Sequence, residues 1–89
     1  MFFMDINKLI LTVKKKIIDN ISLEKMNVED KTFLHKKHES HETGKFHLKL
    51  IITSSELKKM NKIESTKKIY KILDKELKTH IHSLQILIL

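Results

Sequence analysis

The chain has 89 residues, of which 18 are lysine and none is arginine, cysteine, proline, alanine or tryptophan. Its formal net charge is +7 at pH 7 and its pI is about 9.7. This length holds one small domain, placed at residues 1–89, and not two. A hydrophobic content of 40% with 33% charged residues fits a chain that folds. Without cysteine there is no disulfide, no thiolate metal site and no cysteine nucleophile. Lysine alone gives point charges and lacks the bidentate fork that arginine offers to guanine or carboxylate. No run approaches the roughly 18 apolar residues of a membrane span, and the apolar start at residues 1–4 is too short for a signal sequence. A cytoplasmic protein without a membrane anchor is expected.

The first element is a helix over residues 4–21. Ile6, Leu9, Ile10, Val13, Ile17 and Ile21 line one face at helical spacing, with Asp5 at the N-cap. Lys14, Lys15 and Lys16 fall largely off that face. A short strand follows over 23–29, where Glu24, Met26 and Val28 alternate with Lys25 and Asn27. Residues 30–44 read as a polar, histidine-rich loop ending at Gly44, long enough to be a candidate for function. The second strand, 45–53, places Phe46, Leu48, Leu50 and Ile52 on one side and His47, Lys49 and Thr53 on the other.

Ser54-Ser55-Glu56-Leu57 opens a single helical turn. Asn61 caps a second long helix, with Glu64 three positions on as in a capping box. Its apolar stripe is Ile69, Tyr70, Leu73 and Leu77, and Glu64–Lys68 and Asp74–Lys78 are ion pairs four apart. The last strand, 81–89, puts His82, Leu84, Ile86 and Ile88 on one face and Ser83, Gln85, Leu87 and Leu89 on the other. The order helix, strand, strand, short helix, helix, strand predicts an α+β fold. Its three-stranded mixed sheet carries helices on one face, with a right-handed helical crossover to the third strand.

This order, and the strings placed on it, resembles the BolA family. Val28-Glu29-Asp30 leads into the histidine-rich loop, and Lys45-Phe46-His47-Leu48-Lys49-Leu50 enters the second strand. Ser54-Ser55 follows that strand, Glu76-Leu77 closes the long helix, and Ile81-His82-Ser83-Leu84 opens the last strand. The resemblance runs from about residue 6 to 88. Ser83 stands where the family has alanine in its His-Ala-Leu signature, and Leu57-Lys58-Lys59 where it has Phe-Glu-Gly. Ser65-Thr66-Lys67 replaces its Arg-His-Arg. The resemblance implies a class II KH-like fold and an adaptor role, not an enzyme. The partner it implies is a monothiol glutaredoxin, with which a 2Fe-2S cluster is shared together with glutathione. It further implies that His82 is one ligand and that His38, counted back from His47 without a gap, is the second.

Read without the family, the loop histidines are solvated side chains with no ligand role or, since imidazole is a natural nitrogen ligand for iron, zinc or copper, metal-binding candidates together with His82. His35, His38 and His41 are evenly spaced in the loop, so each can compete for the same ion. His47 reads as structural or as a support behind a ligand rather than a ligand itself, and His80 as a polar residue near the helix C-terminus. Two histidines do not complete a structural zinc site, which takes four protein ligands. An open half-site shared with a second protein suits them better. A zinc- or copper-binding role for the loop histidines is an alternative. Another is a KH-like DNA-binding regulator using Lys58, Lys59, Lys62, Lys67 and Lys71, whose contacts to phosphate would be salt-dependent. There is no GxxG loop to clamp nucleotides.

Overall fold

The computed structural model describes residues 5–32 and 45–89. Helix α1 (Ile6–Asn20) starts at Asp5, whose carboxylate accepts the Lys8 N–H at 2.8 Å. It buries Leu9, Val13 and Ile17 and ends where Ile21 turns to extended backbone. Strand β1 (Lys25–Asp30) pairs antiparallel with β2 (Phe46–Thr53), from Lys25 opposite Thr53 to Asp30 opposite Leu48. Strand β3 (Ile81–Ile88) pairs parallel with β2, so the order across the mixed sheet is β1-β2-β3. Helices α2 (Ser55–Lys58), α3 (Lys62–Ile72) and α4 (Asp74–Thr79) make the crossover between the parallel strands.

Alternate residues of the central strand, Leu48, Leu50 and Ile52, share one core with the α1 stripe, Ile69 and Leu73. The helices therefore cover one face of the sheet, as the sequence order predicts. Burying such an apolar side chain stabilises the fold by about 1.5–3 kcal/mol. The crossover differs in detail from the expected single long helix. It breaks at Leu73, where φ −99° and ψ 17° leave the helical region.

Its buried stripe is Ser65, Ile69, Leu73 and Glu76, while Tyr70 is 42% exposed. Hydrophobicity drew the expected stripe toward Tyr70 because two of the buried residues are polar. Both have internal partners, which is what makes burial tolerable. The Ser65 hydroxyl donates to the Lys62 carbonyl at 3.1 Å. Glu76, 4% exposed, accepts from Lys16 Nζ at 2.9 and 2.7 Å, tying α4 to α1. Asp74–Lys78 forms as expected at 3.0 Å, but Glu64–Lys68 does not. Glu64 instead accepts from the Asn61 amide, and Lys68 reaches Glu56 at 2.7 Å.

A second polar knot joins the chain after α1 to the start of α2. Buried Ser54 accepts the Leu57 N–H at 3.1 Å and donates to the Ser22 carbonyl at 2.7 Å. Glu24 accepts from the Ser55 hydroxyl at 2.7 Å and from its N–H, and the hydroxyl bond holds the Glu24 pKa below the usual carboxylate range. Glu56 accepts from Lys68 and from the Ser22 N–H, and the Lys68 hydrogen bond lowers its pKa too.

Two outcomes follow. Lys16→Met leaves the Glu76 carboxylate buried without its cation and should cost about 1–3 kcal/mol in urea unfolding at pH 7, with recovery in Lys16→Met/Glu76→Leu. For Glu24 and Glu56 the folded pKa lies below the unfolded one, so the unfolded chain takes up protons first as pH falls. Their contribution is complete above the unfolded carboxylate pKa of about 4.3 and disappears as pH drops through the folded values. Urea midpoints measured from pH 7 to pH 3 should fall at the acid end, and less steeply in Glu24→Gln/Glu56→Gln.

Candidate functional site

The ladder between β2 and β3 is regular except at its start. Phe46 lies opposite Ile81, but His47 lies opposite Ser83, so β3 carries one extra residue, His82. This bulge changes the predicted alternation. Ile81 and Leu84 both reach the core although three positions separate them, and Ile86 and Ile88 follow on the Leu84 side. His82 leaves the face it would share with Leu84 and stands exposed at the sheet corner.

Its neighbour is His47, only 7% exposed, with ring centroids 4.8 Å apart and planes 32° from parallel. His47 is held on three sides. Its Nδ1 and the Ser83 hydroxyl form a 2.6 Å hydrogen bond. Its N–H donates to Thr32 Oγ1 at 3.2 Å, and its carbonyl accepts the Lys31 N–H at 2.7 Å. Thr32 is itself buried and donates through both its N–H and its hydroxyl to the Asp30 carboxylate. A polar chain thus runs Asp30–Thr32–His47–Ser83 across the ends of all three strands. His47 is thus buried and hydrogen-bonded at the meeting of the three strands.

The sequence-predicted ligands are divided by this arrangement. His82 lies in the corner, whereas His35, His38 and His41 lie outside the described residues. Thr32 and Lys45 flank that histidine-rich stretch, and both stand at this corner: Thr32 is bonded to His47, and Lys45 precedes Phe46. His80 sits at the C-cap of α4, its N–H on the Glu76 carbonyl at 2.8 Å, as its place in the sequence suggested. Among the described residues no three His, Cys, Asp or Glu side chains gather to hold a metal ion by themselves. Ser83, the hydrogen-bond partner of His47, is not singled out by the sequence pattern. Its signal was a hydroxyl next to His82, but its partner His47 could be recognised only once the bulge had set the register.

Lys58, Lys59, Lys62, Lys67 and Lys71 are all exposed, but not on one surface. Lys62 and Lys67 border an open groove of about 500 Å³ with Ile63, Thr66 and Tyr70. Lys71 lines a different groove with Lys16, Asn20, Lys68 and Ile72. At about 100° per residue, Lys62 and Lys71 fall on opposite sides of α3. No helix among the described residues is long and apolar enough to cross a membrane.

The fold recurs in known proteins. The family described as BolA-like protein matches residues 17–89, which include both β2 and β3. The chain belongs to the BolA family. Its structure is similar to the BolA domain of SufE1 from Arabidopsis thaliana, with a TM-score of 0.79 at 23% identity over 94% of this chain and 93% of that one. It is also similar to BolA1 from Arabidopsis thaliana, with a TM-score of 0.73 at 22% identity over 89% and 87% of the two chains. BolA1 from Mus musculus gives a TM-score of 0.71 at 18% identity, over 89% of this chain and 62% of that chain. No curated protein matches in sequence. At these identities the solved structures establish the BolA fold and leave the chemistry to the residues of this chain.

Proposed function

We propose that this BolA-family chain is an adaptor that binds a monothiol glutaredoxin and shares a 2Fe-2S cluster with it. In this reading it acts in cluster transfer or iron sensing. The observation that carries the reading is the exposed His82, at a bulge beside both flanks of the histidine-rich stretch. A closed metal site wants its ligands turned inward and four in number. His82 turns outward, where the ligands of a second protein can reach, so the donor set fits a shared cluster better than a resident ion.

The chain would supply imidazole nitrogens from His82 and one of His38, His35 and His41; the glutaredoxin thiolate and glutathione would supply the sulfur side. Nitrogen ligation in place of thiolate raises the potential of an iron–sulfur cluster, as in Rieske centres. What the protein itself contributes is placement. The bulge presents the imidazole, and the buried His47 sits against its ring.

The reading is tested by reconstituting the cluster with a monothiol glutaredoxin and glutathione, following visible absorption and circular dichroism. His82→Ala should return the spectrum of the mixed complex to that of the glutaredoxin homodimer. His38→Ala should weaken it more than His35→Ala or His41→Ala. A mixed-complex spectrum that survives His82→Ala unchanged overturns the ligand assignment.

A further inference from the structure

The geometry points to Ser83 as a positioning residue for His82, acting through His47. This inference rests on the proposed role of His82 as a cluster ligand. An exposed imidazole on a bulge is free to sample several χ1 and χ2 wells, and a ligand held in one orientation binds better for the entropy already removed. Among the described residues, the flat neighbour of His82 is the His47 ring at 4.8 Å. That ring can serve as a platform only if it is itself fixed.

Three hydrogen bonds among the described residues help to fix it: the Thr32 hydroxyl on its N–H, the Lys31 N–H on its carbonyl, and the Ser83 hydroxyl on its Nδ1. The first two hold the backbone. Among these three bonds, only the one to Ser83 sets the rotation of the ring. Ring nitrogens of metal-site histidines are commonly oriented through such outer hydrogen bonds, and losing one weakens the site without abolishing it. Here the bond lies one residue further out, on the histidine stacked against the ligand. The usual alanine of the His-Ala-Leu signature has no hydroxyl to make it. Ser83→Ala should therefore keep the cluster but hold it less firmly.

The test uses the full chain in two forms. In the isolated chain, nuclear Overhauser contacts between the His47 and His82 rings, together with the His82 χ1 couplings, report orientation without any cluster. Wild type and Ser83→Thr should show the ring contacts and a single His82 rotamer. Ser83→Ala should lose the contacts and average the couplings, with unchanged far-ultraviolet circular dichroism. In the complex with a monothiol glutaredoxin and glutathione, Ser83→Ala should release the cluster to a chelator about fivefold faster, a factor equal to one net hydrogen bond of about 1 kcal/mol. Ser83→Thr should restore the wild-type rate. Ring contacts and couplings unchanged in Ser83→Ala overturn the inference. If no cluster assembles even with the wild-type chain, the adaptor reading fails, while the measurements on the isolated chain still decide whether Ser83 orients His82.

Discussion

Ile81 and Leu84 are both buried in a strand whose side chains alternate, and the sheet satisfies this demand with one extra residue. Without the bulge, either Ile81 would face outward or a one-residue shift of β3 would turn Leu84, Ile86 and Ile88 to solvent. The core needs those apolar residues. A chain of this size buries only about 60–65% of the surface its unfolded form exposes, so it has little hydrophobic surplus to lose. The displaced residue is His82. The packing requirement that fills the core is the same one that ejects an imidazole onto the surface. The exposure of His82 is thus a consequence of register.

The buried polar groups follow a similar logic. Ser54, Ser65, Thr32, His47 and Glu76 are all taken out of water, and each has a partner within reach. Most of these bonds cross between elements that are distant in sequence. Glu76 joins α4 to α1, Ser54 joins α2 to the chain after α1, and Thr32 and Ser83 join the ends of the three strands through His47. Apolar packing is tolerant of small slides between elements, whereas an unpaired buried donor or acceptor is costly. These bonds therefore fix the relative placement of elements that the core only presses together. At the histidine corner the same device holds a ring.

The parts of the fold that depend on local pattern were legible in the sequence. Apolar residues three and four apart gave α1, alternation gave β2, and Asp5, Ser54 and Asn61 marked three helix starts that the structure retains. What was not legible depends on contacts between distant positions. The break at Leu73 leaves no glycine or proline as a sign. Tyr70 attracts a hydrophobic reading, although Ser65 and Glu76 take the inward places because Lys62 and Lys16 satisfy them. Lys68 has a suitable partner four residues earlier and chooses Glu56 across the turn. At the site, His82 was identified from its signature string, but its face was assigned wrongly because alternation knows nothing of a bulge. The evidence for the bulge was present as two strongly apolar residues, Ile81 and Leu84, at a spacing no regular strand can bury on one side.

The positive charge separates into two populations once the fold is considered. Lys16, Lys68 and Lys78 are committed to carboxylates at 2.7 to 3.0 Å, and the first two of these pairs join different elements. The Lys16 and Lys68 pairs are part of the scaffold, whereas Lys78–Asp74 is a solvent-exposed pair within α4. Lys58, Lys59, Lys62, Lys67 and Lys71 are exposed and spread around α2 and α3, so they cannot all meet one strand of phosphates. A net charge of +7 arranged this way produces a diffuse field around the molecule. Such a field accelerates encounter with an acidic partner and is screened over about 8–10 Å at ordinary ionic strength, but it does not read a base sequence. The side chains held most firmly near the exposed His82 are those around His47.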